Sequence, residues 1–161
     1  MGTEVDFVKL SDCDLTPEKI VVKHSGLVRL QYIEDLDGNL TIAEIGDLPF
    51  NDIKRLFWRQ VPNRDANVGH HAHKNTEQVI TCHHGFFTLH LDDGRKQQDI
   101  LMDVDNIGVY LGKELWHSMN NFQINSMYLV IANTRYDESD YIRDYDKFLK
   151  YVGSDGKELV D

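Results

Sequence analysis

The chain has 161 residues, 41% of them hydrophobic, enough for one domain with a core of its own and too few for two ordinary ones. A net charge of −10 argues against a nucleic-acid partner, which selects for a basic patch, and no apolar run approaches the ~20 residues of a membrane-spanning helix. Cys13 and Cys82 are too few for a disulfide framework, and the segment from Met1 to Asp6 has neither the basic nor the apolar part of a secretory leader, so the expected location is cytoplasmic.

Residues 1–28 mix an amphipathic stretch, Pro17 and the apolar Ile20-Val21-Val22, and are read as an N-terminal extension to a domain spanning 29–153. Arg29 to Glu34 alternates apolar and polar side chains up to the turn signal Asp35-Leu36-Asp37-Gly38-Asn39, and Leu40 to Glu44 follows, which predicts a hairpin. After the break at Leu48-Pro49-Phe50, a strand from Ile53 to Trp58 puts Arg55 and Phe57 on one face, Leu56 and Trp58 on the other. A polar loop over 62–67 leads into Gly69-His70-His71-Ala72-His73-Lys74-Asn75-Thr76-Glu77-Gln78. Short strands are then predicted over 78–82, 87–91, 99–104, 108–111, 116–119 and 127–132, separated by turn signals such as His83-His84-Gly85 and Asp92-Asp93-Gly94. That rhythm predicts an all-β sandwich or barrel. Only the end reads as helical: Asp137 to Asp140 offers an N-cap with acidic residues in the first turn, and Tyr141, Tyr145 and Phe148 recur at i, i+4 and i+7. Residues 154–161 form a polar tail.

Residues two apart on a strand project from the same face, so His71 and His73 point together while His70 and Ala72 point the other way. Two imidazoles of near-neutral pKa side by side suit either proton transfer or metal binding. With Glu77 and His117, they match the ligand spacing of a cupin metal site, and three His and one Glu suit Fe, Mn, Ni or Zn. His24, His70, His83, His84 and His90 are read as packed or solvated, the pair at 83–84 because it precedes a turn glycine.

Taken in order, Asp37-Gly38-Asn39-Leu40, Leu48-Pro49-Phe50, Ile53-Lys54-Arg55, Gly69-x-His71-Ala72-His73-Lys74 and Glu77-Gln78-Val79 form one series of motifs. It continues through Leu91-Asp92-Asp93-Gly94, Gly108-Val109-Tyr110, Trp116-His117 and Tyr136-Asp137-Glu138-x-Asp140-Tyr141-Ile142-Arg143-Asp144-Tyr145. Over about residues 31–151 the chain resembles the sugar-nucleotide 3,4-ketoisomerases, cupin enzymes acting on dTDP-4-keto-6-deoxyglucose. The resemblance implies a jelly-roll antiparallel β-barrel with a short C-terminal helix, a homodimer, a dTDP-linked keto-sugar substrate and catalysis with no metal and no cofactor. The product would feed a cell-surface polysaccharide such as an O-antigen. It further implies His71 and His73 as the acid/base pair, and Arg55, Lys74, Glu77, Tyr110 and His117 as groups around the substrate. Glu77 could then orient a histidine rather than bind metal. Three positions depart from the family: Phe57 and Trp58 replace two tyrosines, and Val68 replaces an arginine. A related cupin acting on another keto-sugar nucleotide, a metal-dependent cupin and a non-catalytic sugar-binding cupin are the alternatives.

Overall fold

The structure is a computed structural model and describes residues 5–12 and 20–155. Among these, the strands are β1 (Asp6–Lys9), β2 (Ser25–Arg29), β3 (Gln31–Asp35), β4 (Gly38–Ile42), β5 (Arg55–Val61), β6 (Val68–His73) and β7 (Gln78–His84). They continue as β8 (Phe87–Asp92), β9 (Gln97–Met102), β10 (Ile107–Leu111), β11 (Trp116–Asn120), β12 (Ser126–Ala132) and β13 (Tyr141–Ile142), and the chain ends in helix α1 (Tyr145–Asp155). No helix among the described residues is long and apolar enough to cross a membrane.

Two sheets stack face to face. One runs β1-β9-β8-β11-β6-β13 and the other β2-β10-β7-β12-β5, with β3–β4 as a separate hairpin. Strand parity builds the space between them: Phe87, Leu89 and Leu91 from β8 meet Ile80, Val109, Tyr128 and Val130 from the opposite sheet in the main core. The arrangement is the expected cupin jelly roll, its two sheets separate among the described residues. Both outer faces are covered as well. Val28, Leu30, Leu48 and Phe50 pack over Val79 and Ile131 on one side, and α1 sets Phe148 over Ala72, Trp116 and Ile142 on the other.

The hairpin predicted from Asp37-Gly38 forms, with Asp35 opposite Gly38. The stretch read as an extension does more than precede the domain. β1 adds a parallel strand to β9, β2 pairs antiparallel with β10, and Leu10 and Val22 are buried in the main core. Cys13 and the tail beyond Asp155 lie outside the described residues. The helix begins later than its acidic signal suggests. Asp137 caps a short 3₁₀ turn over Glu138–Asp140, accepting from Ser139 N, and Tyr141–Ile142 then pair with His73 and Ala72 at the sheet edge. Asp144 starts the helix instead, its side chain accepting from Lys147 N at 2.8 Å. An open strand edge outcompetes helix propensity here, because pairing satisfies backbone groups of β6 that would otherwise be exposed.

Candidate active site

A β-bulge sets up the histidine strand. His71 lies opposite His117, yet Ser118 lies opposite Gly69, so one extra residue is inserted in β6. Gly69 and His70 absorb it with φ of +89° and +56°. A Cβ on Gly69 would meet the His117 carbonyl oxygen at 3.0 Å and Ser118 Cα at 3.1 Å, so glycine is required on two counts. The bulge turns His70 outward, where its Nε2 is 2.7 Å from Asn67 Oδ1, and brings Val68 round to the face of His71. Below it ordinary alternation resumes: His71 and His73 face inward, and Ala72 faces α1.

The inward side chains converge on a cavity of about 350 Å³. β6 and β11 contribute His71, His117 and Met119; β13 and the residue after it contribute Tyr141 and Arg143. The opposite sheet supplies Phe57, Arg59, Gln78, Ile80, Tyr128 and Val130. Ring centroids of His71 lie 4.9 Å from His73 and 4.5 Å from His117, and Tyr141 packs 4.4 Å from His73. Arg143 stacks on Tyr141 at 4.3 Å while donating from Nε and Nη2 to Glu138 at 2.6 and 3.0 Å. Those bonds, with a third from Tyr136, hold the Glu138 carboxyl down at about 2.

Burial dominates the electrostatics of all three imidazoles. His71 is lowered to about 4 by desolvation and then by the neighbouring His73. His117 is lowered well below its usual value by burial and by the other two rings, and its Nδ1 donates to the Leu115 carbonyl at 3.3 Å. Burial also lowers His73, but Asp140 opposes the fall by accepting from its Nδ1 at 2.9 Å, while Arg55 and Arg143 add to it. The cluster is therefore neutral near pH 7, the state a general base needs. One ligand atom from each ring lies within 4.8 Å of the others, so the three could converge on a divalent cation.

The structure gathers only part of the site read from sequence. His71, His73 and His117 come together as expected. Glu77 turns to the outer face of β7, accepting from the Tyr110 hydroxyl at 2.5 Å and from Asn133 Nδ2 at 2.8 Å; Gln78 takes the inward position. Glu77 therefore neither orients a histidine nor completes a ligand set, and Tyr110 stays with it outside the cavity. Lys74 ties a loop instead, donating from Nζ to the Ser139 carbonyl at 2.8 Å. Arg55 shares the face of Phe57 and Arg59, with its guanidinium over Phe57 and Tyr136 at 5.4 and 5.8 Å, close enough to influence His73 without lining the cavity. Arg59, which from sequence could substitute for the arginine replaced by Val68, does line the cavity. Sequence reasoning missed Gln78, Tyr141 and Arg143 as cavity residues and Asp140 as the carboxylate behind His73. Those near the C-terminus were hidden by assigning them to the helix.

Comparison with known proteins identifies the family. Residues 23–153 match the family model described as FdtA, WxcM-like, C-terminal. The chain belongs to this family. The TDP-4-oxo-6-deoxy-α-D-glucose 3,4-oxoisomerase of Aneurinibacillus thermoaerophilus is 39% identical over 127 residues, 78% of this chain and 91% of that protein. Among solved structures, the sugar 3,4-ketoisomerase QdtA of Thermoanaerobacterium thermosaccharolyticum, in complex with TDP, superposes with a TM-score of 0.81 at 31% identity, over 84% of this chain and 99% of its own. The TDP-quinovose 3,4-ketoisomerase WlaRB of Campylobacter jejuni gives 0.76 at 36%, over 80% and 99%.

Proposed function

We propose that this member of the family is a nucleotide-sugar 3,4-ketoisomerase acting on a TDP-linked 4-keto-6-deoxyhexose. The observation that carries the reading is the neutral pair of His71, at the cavity wall, and His73, buried beside it with ring centroids 4.9 Å apart and a carboxylate behind it. His73 takes the C3 proton, made acidic by the neighbouring C4 carbonyl. The electron pair of the broken C–H bond forms the C3–C4 double bond of an enediolate, and the C3 hydroxyl proton passes to the C4 oxygen as a C3 carbonyl forms. The proton held by His73 passes to the adjacent His71, which delivers it to C4. Neither electrons nor atoms are left over, so the reaction needs no redox partner. Arg59 and Arg143, at the cavity wall, suit the diphosphate, since guanidinium groups bind phosphate oxygens in a fork. Phe57 at the wall supplies no hydroxyl, whereas Tyr128 and Tyr141 line the same cavity.

The test is to incubate the protein with TDP-4-keto-6-deoxyglucose in D₂O and follow the sugar by NMR. The expected result is deuterium at C3 of recovered substrate and a 3-keto product. Binding of TDP with no exchange at C3 would reduce the protein to a sugar-nucleotide binder. Elemental analysis is expected to find less than stoichiometric metal; one ion per chain, with activity lost to chelator and restored by metal, would favour a metal-dependent cupin.

Two further parts of the reading concern assembly and setting. β5 is the last strand of its sheet, with Leu56 and Trp58 exposed by 52% and 67%, and the β3–β4 hairpin presents Ile33, Leu36 and Leu40 to solvent. An exposed apolar edge strand calls for a cover, and a second copy pairing there makes the protein a homodimer. Trp58→Asp is expected to shift light scattering from dimer to monomer. The enzyme works in the cytoplasm, consistent with Cys82 as a buried free thiol, and supplies a deoxysugar for cell-surface polysaccharide.

A further inference from the structure

We propose that Asp140 is a positioning residue that holds His73 in one tautomer, Nδ1 protonated and Nε2 free to accept a proton; this rests on the reading of His73 as the base. Asp140 does not line the cavity. It is brought behind β6 by the 3₁₀ turn over Glu138–Asp140, and Lys74 N donates to its carbonyl at 2.9 Å as β13 pairs with β6.

The carboxylate is held from several sides. Oδ2 accepts from His73 Nδ1 at 2.9 Å, from Thr76 Oγ1 at 2.6 Å and from Thr76 N at 3.3 Å, and Oδ1 accepts from Asn75 N at 2.7 Å. Burial alone would raise this carboxyl, but the bonds from Thr76, His73 and Asn75 outweigh it and the net shift is downward. An ionised carboxylate only accepts, so Nδ1 of His73 must carry the proton. At the far side of the ring, the Gln78 amide nitrogen stands 3.4 Å from Nε2, a donor facing a lone pair, and so favours the same tautomer. The neighbouring rings have nothing comparable. His71 Nδ1 is buried without a hydrogen bond of ordinary geometry, and His117 has only a main-chain carbonyl. Among the described residues, His73 alone of the three imidazoles is braced by a carboxylate.

Asn at position 140 keeps the shape but cannot satisfy the same donors. Its oxygen can face His73, leaving the amide against Asn75 N–H, or face Asn75, in which case the amide requires a lone pair on Nδ1 and reverses the tautomer. The experiment compares wild type and Asp140→Asn by long-range ¹H–¹⁵N correlation of the histidine rings, without substrate, and by steady-state kinetics. Wild type is expected to show His73 in the Nδ1–H form alone. The variant is expected to show mixed or reversed tautomers and a kcat reduced ~10–100-fold with KM within about threefold, the range typical when a group orienting a functional histidine is removed. A wild-type His73 in the Nε2–H form, or a variant with an unchanged tautomer and unchanged kcat, overturns the proposal. If Asp140→Asn fails to fold, Thr76→Val, which removes one donor to the carboxylate, is read the same way with a smaller expected kcat loss. The tautomer is measured in the free protein, so an enzyme with no activity on the keto-sugar refutes the function and leaves this result standing.

Discussion

Two carboxylates flank the turn between β6 and β7, and the contrast between them shows what selects a functional group in this fold. Glu77, four residues after His73, is held by Tyr110 and Asn133, and its own amide donates to Asn133 Oδ1 at 2.9 Å. Asp140, sixty-seven residues away in sequence, is held by Thr76 and Asn75 and touches His73. Each network is locally satisfied, but only the second reaches an imidazole. The difference is one step of strand parity: Gln78 and Ile80 face the cavity, so Glu77 and Val79 must face away. Proximity along the chain to a histidine pair is therefore a poor guide, and the strand that closes the sheet edge is a better one.

The most damaging change on the Asp140 side is His73→Asn. Asn preserves polarity and approximate size but takes up no proton near neutral pH. A general acid–base group supplies ~10²–10⁴-fold in rate, so product formation by NMR is expected to fall by that factor while TDP binding by calorimetry is retained. Turnover at the wild-type rate would remove His73 from the chemistry. His71→Asn is expected to cost as much if that ring delivers the second proton.

Much of this was legible in the chain. Turn signals at Asp37-Gly38 and Asp92-Asp93-Gly94, and alternation through β8, carried the strand count because each depends on neighbours in sequence. The inward pair His71 and His73 was legible for the same reason, and the bulge at Gly69–His70 left it intact because the extra residue falls before the pair. Asp140 was not legible, because its acidic run is a good helix start by composition and only the open edge of β6 recruits Tyr141–Ile142 into a strand. β1 escaped notice because a four-residue edge strand pairing in parallel leaves little pattern of its own.

A second, smaller effect is set by pH. His71, His73 and His117 all titrate lower in the folded chain than the usual 6.5, His71 at about 4. Between those values the unfolded rings bind protons that the folded rings refuse, so the unfolded state gains relative to the folded one as pH falls. Stability is complete above about pH 6.5 and is lost progressively towards pH 4. Thermal melts are expected to show Tm dropping through that window, with a shallower drop in His71→Asn, which removes one of the contributing groups. A Tm independent of pH over this range would mean that the rings are more hydrated than their packing implies.

The smallest effect is expected from Glu77→Gln, which tests the other side of the comparison. Gln retains one carbonyl oxygen and fits the same space, so it keeps one of the two bonds from Tyr110 and Asn133 and loses the charge that strengthens both. Burial first and the bond to Glu77 second push the Tyr110 hydroxyl upward, so it remains protonated in the variant and still has a proton to donate. A hydrogen bond to a charged group contributes ~1.5–3 kcal/mol, and chemical denaturation is expected to register a loss in that range. The carboxylate lies across β7 from the cavity, so kcat and KM are expected to stay within about twofold of wild type, since no group that lines the cavity or braces His73 bonds to the Glu77 side chain. A fall in kcat comparable to that of Asp140→Asn would show that the outer face of β7 is coupled to the reacting sugar, and the division of labour between the two carboxylates would have to be abandoned.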